Sequence, residues 1–292
     1  LRGSRANITG PRRRVNKPPG ARHARTKAEG ATPDHATQAG PRPKQTFNRE
    51  QQMKKIFTAS IMTMGLAMPA AAQEAGGRLD IVVQPEPPSL MLGLVQNGPT
   101  QLVAGDIYES LLRYDTDLNP QPSLAKSWEI SDDALTYTFK LHEGVTWHDG
   151  EPFTAEDVVF SVDKFLRETH ARLRVSLAHV ESVTAPDDHT VVFKLKNPFG
   201  PFIGVFEAGT MPMVPKHIYE GTDYANNPAN TTPIGTGPYK FEAWEKGSYI
   251  HLVKNEDYYL EGQPYLDEIY YRVIPDAAAR AVAFENGEGD VL

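Results

Sequence analysis

One apolar run, Ile56 to Met68 (IFTASIMTMGLAM), decides how much of this 292-residue chain is left to fold. Met53, Lys54 and Lys55 stand before it, and Ala70-Ala71-Ala72 stand after it. A short positive segment, an apolar stretch of this length and small residues at A-x-A spacing are the three parts of a secretory signal. Residues 53–72 therefore read as a leader cleaved after Ala72, before Gln73. The run is shorter than the roughly 18 apolar residues a bilayer span requires. A transit peptide is the rival reading, given the Arg-rich stretch ahead, but the segment from Met53 is complete without it. The part that folds then begins at Gln73 and is expected to work in the periplasm.

Charge divides the chain at the same place. Residues 1–72 hold 14 Lys and Arg against Glu29, Asp34 and Glu50, a balance of +11; the whole chain is −7, so the remainder is −18. A body this acidic repels nucleic acid and anionic membrane surfaces, which argues against reading the basic leader as a nucleic-acid arm. Residues 1–52 are rich in Arg, Pro, Gly and Thr and have almost no apolar periodicity. Such a segment cannot bury enough apolar surface to offset its ordering entropy and is expected to be disordered, outside the native protein. The chain has no cysteine, which excludes disulfides, thiolate catalysis and cysteine-ligated metal.

Past the signal, Arg78 to Val83 reads as a buried strand, and a Pro-rich loop runs from Gln84 to Pro99. Thr100 can cap a helix carrying Val103, Ile107 and Leu111 at four-residue spacing. Trp128 to Ile130, a Ser131-Asp132-Asp133 turn and Thr136 to Leu141 form a hairpin, with Tyr137, Phe139 and Leu141 on one face. Phe153, Thr154, Asp157 and Val158 fall at the positions of a hydrophobic staple around a capping box, opening a helix. A second hairpin joins Val180–Thr184 to Thr190–Leu195 through Pro186-Asp187-Asp188. Strands PYKFEAW, YIHLVK and EIYYRVI lie between Gly237 and Ile274, and Asp276 can cap a last helix ended by Gly287. The chain breaks off in GDVL, which reads as a new strand, so it is expected to be part of a longer protein. Strands of mixed spacing with a few capped helices predict an α/β, mixed-sheet α+β fold.

Motifs for chemistry are sparse. Gly235-Thr236-Gly237 lacks the third glycine and adjoining helix of a phosphate loop and reads as glycines at a strand entrance. His142 and His148 lack a third metal donor and read as turn residues, so no metal and no cofactor are expected. Asp132-Asp133 and Asp187-Asp188 sit in hairpin turns, where side-chain hydrogen bonds to the turn explain them. Tyr258, Tyr259, Tyr265, Tyr270 and Tyr271 could stack on sugars or bases; half-buried strand alternation and surface packing explain them as well. No nucleophile–base motif occurs, so an enzyme is not expected; an exported hydrolase is the distant alternative, and an envelope chaperone another.

Leu124 to Glu156, LAKSWEISDDALTYTFKLHEGVTWHDGEPFTAE, resembles the signature of the family 5 extracellular solute-binding proteins, the binders of dipeptides, oligopeptides and nickel. DIYESLLRYD (106–115), GTGPYKFEAWEKG (235–247) and NEDYYLEGQPYLDEIYYRVIPD (255–276) extend the resemblance over essentially all of 78–292. It implies a two-lobed, type II periplasmic-binding-protein fold that closes on its solute. Residues 73–111 and 233–292 would then form the first lobe, 112–232 an inserted subdomain, and the second lobe would be absent. The resemblance implies capture of a di- or oligopeptide by a monomer and delivery to an ABC transporter permease, with nickel chelates, oligosaccharides or opines as alternative solutes. Family members place the loop before the first helix against the ligand backbone, which maps onto Gln96, Asn97 and Gly98; a polar surface loop is the plain alternative. Glu207 and Thr210, in the EAGT segment after FGPFIGVF, are a second candidate.

Overall fold

The structure is a computed structural model and describes residues 75–291; the expected leader (1–52) and the expected secretory signal (53–72) lie outside the described residues. Two four-stranded sheets carry the fold. The first has the order β1-β10-β9-β8, from β1 (Arg78–Val83), β8 (Tyr239–Glu245), β9 (Tyr249–Lys254) and β10 (Glu268–Val273). β1 lies parallel to β10, with Arg78 opposite Glu268 and Val83 opposite Val273, and the other pairs are antiparallel. Ile250, Leu252, Ile269, Tyr271 and Val273 point from one face into the core, the two-residue alternation expected of half-buried strands. Val291 adds a parallel bridge to Ile81, outside β1, at the GDVL segment.

The second sheet, β4 (Ala125–Ile130), β5 (Thr136–Leu141), β7 (Thr190–Leu195) and β6 (Val180–Asp187), is antiparallel throughout. Tyr137, Phe139, Leu141, Val191, Phe193 and Leu195 are buried, and the rings of Tyr137, Phe139 and Phe193 meet Phe202 and Phe206. The ring pairs Phe139–Phe193 and Phe193–Phe206 lie 5.7 and 5.0 Å apart in edge-on contact. Asp133 accepts from the Leu135 N–H at 3.0 Å and Asp187 from the His189 N–H at 2.9 Å, so both paired-acid sites are spent on turns. A small ribbon, β2 (Leu112–Tyr114) and β3 (Pro120–Pro122), links the sheets, and one continuous core runs beneath both.

Helix α1 spans Gly98–Ala104, and its cap corrects the sequence expectation. Asn97, not Thr100, is the N-cap: its side-chain oxygen accepts from the Thr100 N–H at 2.8 Å. The Thr100 hydroxyl instead donates to the Ser89 carbonyl at 2.8 Å, pinning the helix to the preceding loop. α1 ends at Ala104; Ile107 and Leu111 are buried through turns beyond it. Helix α2 (Ala155–Phe160) starts as expected, with Asp157 accepting from the Thr154 N–H at 2.9 Å and from the Lys216 N–H at 3.0 Å. It then widens into a π-helical stretch, Ser161–Leu166, and closes with α3 (Arg167–Thr169). Short α4 (Leu173–Leu177) and α5 (Lys216–Tyr219) come next, and α6 (Ala277–Glu285) is capped by Asp276, with Gly287 at positive φ beyond it.

His148 is not a free turn residue. In the neutral tautomer its Nε2–H donates to the Gly237 carbonyl at 2.9 Å while Nδ1 accepts from the Gly235 N–H at 3.3 Å. Those glycines pack against the Asp106–Ile107 backbone so closely that a Cβ on Gly235 would lie 1.9 Å from the Ile107 carbonyl oxygen. The Gly-Thr-Gly motif is thus a close approach of two backbones just before β8.

Candidate functional site

Three loops meet beside the N-terminus of α1. The first is the Gly93–Asn97 turn ahead of it; the second is the His170–Arg172 exit from α3; the third is the Glu207–Thr210 turn after the second sheet. They enclose a cavity of about 110 Å³ lined by Gln96, Gln101, His170, Arg172, Gly209 and Thr210, among others. The structure thus brings Gln96 and Thr210, from the two separate sequence candidates, to one place. The Gln101 side chain joins the third loop to α1 by donating to the Gly209 carbonyl at 3.1 Å.

The π-helical stretch sets how the second loop arrives. A wide turn adds a residue to the helical path and rotates the downstream chain, as π-bulges at functional sites do. Ser161, inside it, both donates to the Val214 carbonyl at 3.2 Å and accepts from the Val214 N–H at 2.9 Å, so the widened turn is bonded to a neighbouring segment. At its far end the Thr169 hydroxyl sits 2.8 Å from the Phe165 carbonyl and 3.0 Å from the Gly93 carbonyl. A side chain on Gly93 would meet the Phe165 ring at 2.7 Å, so only glycine lets the first loop approach. Arg172 Nη2 then donates to the Gln96 carbonyl at 3.1 Å, and Gln96 Nε2 to the Gly93 carbonyl at 3.2 Å.

His170 is 2% exposed, and its Nδ1 accepts from the Leu173 N–H at 3.0 Å. In the neutral ring the proton is therefore on Nε2, which has no hydrogen-bond partner among the described residues. Burial holds the imidazole pKa below its ordinary value, so the ring stays neutral and Nε2–H is an unspent donor. Arg172 is exposed and has no carboxylate partner among the described residues.

The other candidates stand differently. Asn97 spends its side-chain oxygen as the α1 cap, and Gly98 is the first residue of that helix with open space where a Cβ would be. Glu207 Oε2 accepts from the Gly209 N–H at 2.8 Å and Oε1 from the Thr210 hydroxyl, so its carboxylate builds the third loop. It faces a larger cavity on the other side of that loop. Gln101, His170 and Arg172 carried no signal in the sequence, because the π-helical turn that delivers two of them has no residue signature.

Of the tyrosines, Tyr258 and Tyr259 donate to Glu109 Oε1 at 2.9 and 3.0 Å, with the Ser123 hydroxyl at 3.3 Å. Burial pushes the Glu109 carboxyl up to about 7, against the opposing pull of those hydroxyls. Tyr271 is core, Tyr270 stacks on His251 across the opposite face of the first sheet, and Tyr265 is exposed.

Residues 119–292 match the family model described as bacterial extracellular solute-binding proteins, family 5 Middle. The oligopeptide-binding protein AppA of Bacillus subtilis is 39% identical over 187 residues, 62% of this chain and 34% of AppA. Its structure in complex with a nonapeptide superposes with a TM-score of 0.68 at 34% identity, covering 74% of this chain and 44% of that one. NikZ of Campylobacter jejuni, solved in complex with Ni(L-His), gives a TM-score of 0.66 at 32% identity, covering 74% and 43%. The matches span about a third of the length of the curated relatives. With its mixed sheets and that match over more than half of its length, the chain belongs to the family 5 bacterial extracellular solute-binding proteins.

Proposed function

We propose that this chain supplies one wall of the solute site of a periplasmic binding protein that feeds an ABC importer, and that the solute is a di- or oligopeptide. The observation that carries the reading is the set of groups around the small cavity: the amides of Gln96 and Gln101, the unspent Nε2–H of His170 and the Arg172 guanidinium. A peptide backbone offers alternating N–H and C=O groups; amide side chains answer both polarities and demand no particular side chain in return. The relative AppA, solved with a nonapeptide, supports the same choice.

The groups are set to hold rather than react. His170 Nδ1 is taken by a backbone N–H, so the ring has no free lone pair to act as a base. Residues 73–111 with 233–292 are proposed as the first lobe, 112–232 as its inserted subdomain, and a second lobe outside this chain as the opposing jaw. The protein would act as a monomer, closing by hinge motion on solute and docking closed on the permease. A nickel–amino acid chelate is the second reading, favoured by the likeness to NikZ. Among the described residues no three His, Asp or Glu side chains could hold a metal, so the ion would have to arrive with its own chelator.

Thermal unfolding of the complete protein against di- to pentapeptides, Ni–histidine and oligosaccharides tests the reading. Peptides are expected to raise the midpoint; at a hundredfold excess over Kd the gain is about 2.7 kcal/mol. A rise with Ni–histidine alone would transfer the site to the second reading, and no rise with either would overturn both.

A further inference from the structure

On the far side of the Glu207 loop lies a second cavity of about 700 Å³, walled by Tyr114, Leu118, Leu260 and the Glu109–Tyr259 cluster, with Arg113 also on its lining. Its polar groups are unequal. Both Glu207 oxygens are engaged by Thr210 and the Gly209 N–H, and Glu109 Oε1 holds Tyr258, Tyr259 and Ser123. Glu109 Oε2 is buried without a hydrogen-bond partner among the described residues. Arg113, by contrast, is exposed and has neither an ion-pair nor a hydrogen-bond partner among the described residues.

Leu118 stands on the lining of the same cavity. It is 79% exposed and sits at φ 63°, a left-handed conformation unfavourable for a branched apolar residue. Asp115 imposes it, accepting from the N–H groups of Asp117 at 3.0 Å and Asn119 at 2.8 Å and from the Gln121 amide at 3.0 Å.

We propose that this cavity is a second ligand site, separate from the Gln96–Thr210 cluster, for a small amphipathic carboxylate whose apolar body lies on Leu118, Tyr114 and Leu260 and whose carboxylate pairs with Arg113. Two sources share that chemistry, the C-terminal apolar residue of a peptide and a free aliphatic acid. The test is isothermal titration of the 292-residue chain with octanoate, octylamine, N-acetylleucine and N-acetylleucine amide. Octanoate binds at least about tenfold tighter than octylamine, the scale of one charged hydrogen-bonded contact. R113Q, an exposed change, erases that preference. L118G, which relieves the left-handed backbone, weakens octanoate without unfolding the chain. N-acetylleucine matching octanoate, with its amide inactive, identifies the peptide terminus; octanoate alone identifies the aliphatic acid. No octanoate binding, equal affinity for octylamine, or an R113Q or L118G chain that binds as tightly as the parent overturns the proposal.

Discussion

Glu109, which is buried, and His148, which is half-buried, have titrations that oppose one another. Glu109 has its folded pKa raised to about 7 by burial, so its contribution is fully present below about 4.5 and is lost as pH rises through 7. Burial depresses the folded pKa of His148 to about 4, so the unfolded chain takes up a proton first and stability is lost as pH falls below about 6.5. In the window between 4.5 and 6.5 the two slopes offset each other. The variant E109Q removes one of them. Measured by urea unfolding, E109Q is expected to gain stability relative to the parent between pH 5 and pH 8, by up to about 3 kcal/mol, and to lose the offset in acid. A parent–variant difference that stays constant across that range would contradict the titration assigned to Glu109. Gly235 gives a sharper case: G235A sets a Cβ 1.9 Å from a backbone oxygen that cannot swing aside. It is expected to cost at least about 3 kcal/mol in the same experiment, whereas G144A, with open space but positive φ, costs about 1.

At the scale of elements, legibility tracks locality. The two hairpins are readable because alternation with period two and Asp-rich turns act within ten residues, and β4–β5 and β6–β7 have those turns. The α2 cap is legible for the same reason. The α1 cap lies three residues ahead of its expected place because both Asn97 and Thr100 suit a cap; the choice falls to Asn97 once Ser89, eleven residues away, claims the Thr100 hydroxyl. N97A is therefore expected to lower stability by about 1 kcal/mol, and T100A to lower it through the lost Ser89 contact rather than through the helix end. Far-ultraviolet circular dichroism with thermal melting checks the first. Helix signal and midpoint unchanged in N97A would return the cap to Thr100. The site is half legible: Gln96 and Thr210 stand out as polar groups in loops, but Gln101 and His170 reach the cavity through a π-helical turn and contacts spanning 76 to 108 residues. Nothing within a local window announces those.

At the scale of the molecule, the chain leaves the first sheet after β1, builds the second sheet and returns at β8, and a single core joins the parts. That return explains why the cavity is assembled from three distant loops, which in the proposed reading form one wall of the solute site. The isolated chain is accordingly expected to bind peptide weakly, since closure over a solute needs an opposing jaw. Among the described residues no helix is long and apolar enough to cross a membrane. Whether the Gln96–Gln101–His170–Thr210 cavity grips the solute is tested by isothermal titration of a bound peptide into the complete protein and into its H170F and Q101A variants. Each variant is first checked for an unchanged unfolding midpoint without ligand. Binding is expected to weaken about tenfold in each, the scale of one lost hydrogen bond. Parent-like affinity in both variants would contradict the proposed grip.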